Sequence, residues 1–256
     1  MLLALDMGNT NILAGVYDGE ELVCTARVHT AHWRTADEWA VLLRDILSMR
    51  GVDVSGIDGV ILSSVAWPVT DALRNGIKLF SGIDPFVVGP GLKTGLHIAI
   101  DNPAQLGSDM VCNAVAALAA AKPPLIIFDM GTATTMSVLD QTGKFIGGAI
   151  LPGLVTSLEA LSAKAAQLPK ISVETPDRVI GRNTVDCMRS GAVYGTASML
   201  DGLIERTEEE LGAKCAVLAT GGLSERIANK MRRKVTHAPA LLLEGLRLIY
   251  RKNTVA

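Results

Sequence analysis

Two short phrases in this chain are nearly the same. Asp6-Met7-Gly8-Asn9-Thr10 closes an apolar run at residues 2–5, and Asp129-Met130-Gly131-Thr132-Ala133-Thr134 closes another at 125–128, about half the chain away. An apolar run that ends in Asp-Met-Gly reads as a buried strand entering a tight turn. The residues downstream of the two copies repeat as well. Residues 12–17 and 22–28 read as two further strands joined by the turn Asp18-Gly19-Glu20-Glu21. Residues 134–139 and 145–150 read the same way, joined by Asp140-Gln141-Thr142-Gly143. The chain is therefore two copies of one unit: three strands, then helices. The repeat is far longer than the roughly 20–50 residues of solenoid arrays. It predicts duplicated domains, residues 1–122 and 123–256, divided near Pro123-Pro124.

The stretches between these anchors fit α/β units. Thr35 and Glu38 occupy capping-box positions, and Trp39, Leu42, Leu43, Ile46 and Leu47 recur at helical spacing behind them. Residues 59–64 and 85–91 read as strands, and the small-residue run at 111–121 as a helix. Residues 215–220 read as a strand and about 241–250 as a last amphipathic helix.

Composition narrows the function. Basic and acidic residues number 24 and 26, and the net charge of −2 comes with no long basic block, so nothing points to nucleic acid or an anionic membrane surface. The short cluster Lys230-Met231-Arg232-Arg233-Lys234 reads as a solvated helix face, and Thr207 to Gly212 as a solvated helix end. The four cysteines are scattered without CxxC pairing, which predicts reduced thiols and a cytoplasmic protein. Asp6 interrupts the first apolar run, so the start reads as a strand and not as a signal peptide. No apolar stretch reaches the roughly 18 residues of a membrane span. The four histidines are too dispersed for a metal site, and Trp33, Trp39 and Trp67 read as core or interface residues.

The chemistry lies in the repeated phrase. A strand-end aspartate beside a glycine turn sets a carboxylate next to exposed backbone N–H groups, and Asn9 and Thr10 add side-chain donors. Such a turn can hold phosphate oxygens while the carboxylate holds Mg²⁺ directly or through water. A plain hairpin turn would explain one copy. Two copies predict two phosphate-facing hairpins, each gripping one side of the same nucleotide phosphate chain. The third element, Ala219 to Ser224, ends a strand in Gly221-Gly222, where a flat adenine could lie against backbone; taken alone a helix entry needing small residues is the better reading, and the adenine reading gains weight from its place after two phosphate hairpins.

These elements together resemble the acetate kinase, sugar kinase, Hsp70 and actin superfamily. The chain is more closely similar to type III pantothenate kinases over nearly its whole length. The resemblance rests on DMGNTN, NPAQLGSDM (Asn102 to Met110), DMGTATT, GGAILPGL (Gly147 to Leu154), GRNTVDCMRSGAVYG (Gly181 to Gly195) and HAPALLLEGL near the end. It implies an α/β fold of two ribonuclease-H-like domains with mixed sheets facing a nucleotide cleft. It implies ATP-dependent phosphorylation of pantothenate to 4′-phosphopantothenate, the first step of coenzyme A synthesis, by a homodimer that uses Mg²⁺ and K⁺ or NH₄⁺.

Carried over by position, the resemblance assigns ATP binding to Asp6, Met7, Gly8, Asn9, Thr10, Asn11, Ile12, Leu13 and Thr132. Asp6 would hold Mg²⁺, through water or directly, and Asp129 the monovalent cation. Gly107, Ser108, Asp109, Met110 and Thr184 would form the substrate side, with Asp109 as proton acceptor. Taken alone, Asp109 reads as a helix cap, since it falls at the start of a predicted helix where the dipole favours a carboxylate. Two positions depart from the family pattern. Met110 stands where the family has an arginine that helps hold the substrate carboxylate, and Ile100 where an aromatic residue is common. Arg182 and Arg189 are the alternative cations. Met110 leaves two further readings open: a nucleotide-binding paralogue without pantothenate turnover, or a kinase for another small alcohol.

Overall fold

The computed structural model describes residues 1–254, and the backbone alone of Trp67 and Pro68. Its strands are β1 (Leu2–Met7), β2 (Asn11–Asp18), β3 (Glu21–His29), β4 (Gly59–Ser64), β5 (Phe86–Val87), β6 (Leu125–Met130), β7 (Ala133–Leu139), β8 (Phe145–Pro152), β9 (Ala216–Thr220) and β10 (Thr236–His237). Its helices are α1 (Ala36–Met49), α2 (Trp67–Ser81), α3 (Ser108–Ala120), α4 (Leu154–Lys164), α5 (Thr184–Leu211), α6 (Ser224–Ala228) and α7 (Leu241–Thr254).

The chain divides into two compact units, each with one five-stranded sheet. The first sheet runs β3-β2-β1-β4-β5 and the second β8-β7-β6-β9-β10. In both, the first strand of the repeat lies at the centre, antiparallel to its hairpin partner and parallel to a later strand. That placement explains the two apolar runs. A central strand covered on both faces reads as a continuous apolar segment, and residues 2–5 and 125–128 are all buried. The outer strand β8 alternates instead, with inward Phe145 buried and Ile146 exposed.

The duplication read from the sequence is thus present as two sheets of the same order. Their division is not one cut near residue 122. The first unit comprises 1–95, 102–116 and the segment from Leu241; the second comprises 96–101 and 117–240. The physical reason is the docking of α7. Its buried face, including Leu242, Leu243, Leu246 and Ile249, packs on β1, β2 and β4 of the first unit. A chain-order reading cannot see which sheet a terminal helix covers.

Local details reflect their residues. Thr35 caps α1: its Oγ accepts the Glu38 N–H at 3.3 Å, while the Glu38 carboxylate accepts the Thr35 N–H at 2.8 Å. The strand expected at 85–91 shortens to two residues, because the glycines and Pro90 beyond it end its pairing. The basic cluster at 230–234 is a turn after α6, not a helix face. The Arg232 and Arg233 N–H groups donate to the buried Asp201 carboxylate at 2.8 and 3.1 Å, and the Arg233 guanidinium pairs with Glu208. Glu208 is in turn 5 % exposed, so the acidic run at 207–212 is a helix end with one buried, paired carboxylate. Trp39 is fully buried and Trp33 is 79 % exposed. The expectation for Trp67 lies outside the described side chains.

Helix α7 also crosses α3 closely within the first unit. A Cβ on Gly245 would stand 2.0 Å from the Cys112 carbonyl oxygen. Gly245→Ala gains up to ~1 kcal/mol of helix propensity, but the overpacked crossing costs about 1–3 kcal/mol. A net fall in the urea-denaturation midpoint is expected; an unchanged or raised midpoint would show that the two helices can part without cost.

Candidate functional site

In the first unit, β1 and β2 separate only at Gly8. Met7 pairs with Ile12, and the Gly8 N–H donates to the Asn11 carbonyl at 3.0 Å, which closes the turn. Asn9, Thr10 and Asn11 are exposed, while Met7 and Ile12 are buried beneath them and Leu13 is half-buried. The expected ATP-binding run is therefore a solvent-facing turn on a buried footing, so Met7 and Ile12 act as support. Asp6 sits half-buried at the strand end, in register with Ser63 of the parallel strand β4.

Ser63 joins this carboxylate to α3. Its hydroxyl donates to Asp6 Oδ1 at 2.8 Å and lies 2.9 Å from the Ser108 hydroxyl. One proton cannot serve both, and a carboxylate is the stronger acceptor. The Ser108 proton has two acceptors, the Ser63 oxygen at 2.9 Å and the Ser64 carbonyl at 3.2 Å, and the shorter contact gives a chain from Ser108 to Ser63 to Asp6. Ser108 Oγ also accepts the Ser64 N–H at 3.2 Å. The Ser108 hydroxyl, expected on the substrate side, is engaged inside the unit and fixes the start of α3 against the sheet.

Asp109 comes next, in the first turn of that helix. Its Oδ1 accepts the Met110 N–H at 2.8 Å, so part of its role is to satisfy a first-turn N–H. Burial pushes its carboxyl above the usual aspartate range, against the lowering effect of the Met110 and Asp109 N–H groups. Gly107, Ser108, Asp109 and Met110 are all half-buried. Beneath them Cys112 is fully buried; burial first, then the charges of Asp6 and Asp109, hold its thiol well above the ordinary value.

The second unit repeats the hairpin with one residue less in its turn. Met130 pairs with Thr134, and the Gly131 N–H donates to the Ala133 carbonyl at 3.0 Å. Asp129 is half-buried and in register with Thr220 of β9, as Asp6 is with Ser63. The loop after β9 rests on this hairpin. Gly221 has φ +94°, and a Cβ there would stand 2.6 Å from the Met130 N and O atoms, so only glycine fits. The Ser224 hydroxyl donates back to the Gly221 carbonyl at 2.7 Å.

Thr184 opens α5 behind the cap residue Asn183. It lines a groove of about 700 Å³ between α4 and α5, whose other walls include Leu158, Leu161, Cys187, Met188 and Met199. Of the alternative cations, Arg189 pairs with Glu174 at 2.8 Å and Arg182 is exposed.

Among the described residues no three His, Cys, Asp or Glu side chains gather to hold a metal, and no helix is long and apolar enough to cross a membrane. One strand-end carboxylate with hydroxyls beside it fits Mg²⁺ carried by phosphate, since that ion uses one or two carboxylates and keeps its waters. Sequence reasoning missed Ser63 and Ser64. Two serines closing an otherwise apolar strand were the available signal.

The family model for type III pantothenate kinase matches residues 2–206 of the chain. A type III pantothenate kinase of Moorella thermoacetica is 42 % identical over 99 % of this chain and 100 % of its own length. One from an Exiguobacterium species is 44 % identical, over 99 % of each chain. Among solved structures, a Campylobacter jejuni protein described as a Baf family transcriptional activator has a TM-score of 0.61 at 18 % identity, over 98 % of both chains. The ROK hexokinase of Thermus thermophilus has 0.51 at 17 %, again over 98 % of both. At such identities these structures share the fold alone.

Removing the Ser63 hydroxyl strips one hydrogen bond from a charged acceptor inside the sheet. Ser63→Ala is expected to lower stability by about 1–3 kcal/mol, read from chemical denaturation. A variant as stable as the parent would mean that the Ser108–Ser63–Asp6 chain contributes nothing.

Proposed function

Because the chain belongs to the type III pantothenate kinase family, we propose that it transfers the γ-phosphoryl group of ATP to the primary hydroxyl of pantothenate. The product is 4′-phosphopantothenate, and the reaction opens coenzyme A synthesis. The observation that carries the mechanism is the link between Asp109 and the first hairpin. Ser108, the neighbour of Asp109, is hydrogen-bonded through Ser63 to Asp6. In this reading that chain of hydrogen bonds ties the proton acceptor to the phosphate-binding turn. Relatives 42–44 % identical over nearly the whole chain are type III pantothenate kinases, which supports this reading over a non-catalytic paralogue or a kinase for another alcohol.

In this reading the two hairpin turns bind ATP through Asp6 to Leu13 and through Thr132. Phosphoryl transfer has a loose transition state, so the protein's task is to position and to neutralise charge. Mg²⁺, when bound, supplies part of that neutralisation, with Asp6 as its protein ligand. Asp129 holds a monovalent cation, K⁺ or NH₄⁺. Gly107, Met110 and Thr184 lie on the pantothenate side. Asp109 takes the hydroxyl proton as the new P–O bond forms. Burial raises its pKa and so makes it a stronger base than an exposed aspartate.

The apolar groove beside Thr184, with Leu161 and Met199 at 44 % and 40 % exposure, fits the face of a homodimer. The four cysteines of the chain are free thiols, which fits a reducing compartment, the cytoplasm.

Asp109→Asn is expected to reduce kcat by roughly 10²–10⁴-fold, with ATP binding little changed. The raised pKa sets the sign of the pH dependence. The carboxylate must be deprotonated to act, so kcat falls as pH drops through a value above that of a solvent-exposed aspartate. That acidic limb should be missing in the residual activity of Asp109→Asn. Near-parental turnover in the variant removes Asp109 from the role.

A carboxylate at Asp129 beside phosphate oxygens concentrates negative charge that a cation relieves. Activity should rise with added KCl and stay low in NaCl of equal ionic strength, measured by a coupled ADP assay. Equal rates in the two salts would argue against the Asp129 cation site.

A further inference from the structure

Each hairpin turn is held by a threonine hydroxyl from beyond the third strand of its own unit. In the first unit Thr30, one residue past β3, donates from Oγ1 to the Gly8 carbonyl at 2.8 Å, and from its N–H to the Thr10 carbonyl at 2.9 Å. In the second, Thr156 in the first turn of α4 donates from Oγ1 to the Thr132 carbonyl at 2.8 Å, and the Gly153 N–H reaches the same oxygen at 3.1 Å. The two threonines come from unlike surroundings: Thr30 is 2 % exposed in a strand-to-helix loop, and Thr156 is exposed on a helix. What they share is the bond.

We propose that Thr30 and Thr156 are positioning residues for ATP, each locking a turn peptide of its own unit so that the N–H that follows, of Asn9 or of Ala133, is presented to phosphate. The inference rests on the reading that the two turns bind ATP. Its physical basis is the planar trans peptide, in which C=O and the following N–H point in opposite directions. The Gly8–Asn9 peptide lies outside the strand ladder and can flip, whereas the Thr132–Ala133 peptide borders β7, where the Gly153 N–H holds the same carbonyl and Thr156 adds a second donor; in either turn a flip would present a carbonyl oxygen to an anion where a donor is needed. Gripping the Gly8 carbonyl from one side fixes the Asn9 N–H on the other. Gripping the Thr132 carbonyl does the same for Ala133. In the first unit a flip would also strand the buried Thr30 hydroxyl without its acceptor, a cost that holds the turn in one state.

The test uses Thr30→Val, Thr30→Ser, Thr156→Val and Thr156→Ser in the full-length enzyme. Valine keeps the shape and loses the hydroxyl; serine keeps the hydroxyl. Steady-state kinetics give KM for ATP and for pantothenate. Amide NMR of Asn9 and Ala133 tracks titration with Mg²⁺ and a non-hydrolysable ATP analogue. Each valine variant should raise KM for ATP about 5–10-fold, the effect of one lost hydrogen bond of ordinary strength. KM for pantothenate should stay within about twofold, and serine should restore the parental value. The analogue-induced shift of Asn9 should shrink in Thr30→Val, and that of Ala133 in Thr156→Val.

Unchanged KM for ATP and unchanged shifts in the valine variants would overturn the proposal. So would a parallel rise in both KM values with a lowered Tm, which would assign the threonines to folding alone. If Thr30→Val does not fold, Thr156→Val decides, because its hydroxyl is at the surface. If the analogue moves neither amide in the parent enzyme, the turn-binding reading itself fails and takes this proposal with it. Shifts in the parent with no effect of valine overturn the proposal alone.

Discussion

The hydrogen bond from Ser63 to Asp6 is the contact on which the hairpin end of the first unit depends. It spans adjacent parallel strands at their carboxyl ends and continues through Ser108 into the first turn of α3. Four features are fixed together: the carboxylate, the end of the central strand, the start of the helix and the aspartate next to Ser108. A charged acceptor rewards the donor more than a neutral one would. The geometry is therefore costly to disturb, which suits a reaction governed by position.

The second unit solves the same problem with different residues. Asp129 faces Thr220 in register, and the hairpin turn is one residue shorter than its counterpart. Around it, Gly221 lets the loop after β9 press against the Met130 backbone, and Thr156 grips the turn from α4. Both units thus place a strand-end aspartate beside a hydroxyl residue and bind a turn carbonyl with a threonine hydroxyl. The two sheets share one order, while the residues that stiffen their turns come from different elements.

Helix α7 deepens the asymmetry. It comes last in the chain yet completes the first unit, and its Gly245 lets it approach the backbone of α3 at Cys112. Asp109 lies one helical turn away from that crossing. The last turns of the chain therefore help hold the helix that carries the proposed base, without any contribution of a reactive group.

The sequence by itself determined the repeat, the hairpins and the capping box at Thr35 and Glu38. Each depends on residues close in the chain: apolar runs of strand length, a glycine at a turn, a hydroxyl three positions before a glutamate. The strand-end aspartates and the place of Asp109 at a helix start were legible for the same reason. Tertiary structure alone decided the rest. It brought Ser63 beside Asp6, buried Glu208 inside an otherwise solvated acidic run, and set Thr30 and Thr156 on the turn carbonyls. It also docked α7 on the first sheet. These outcomes depend on which strand lies next to which and on the register between them, and both are set by the packing of residues far apart in the chain, which no local pattern of spacing encodes.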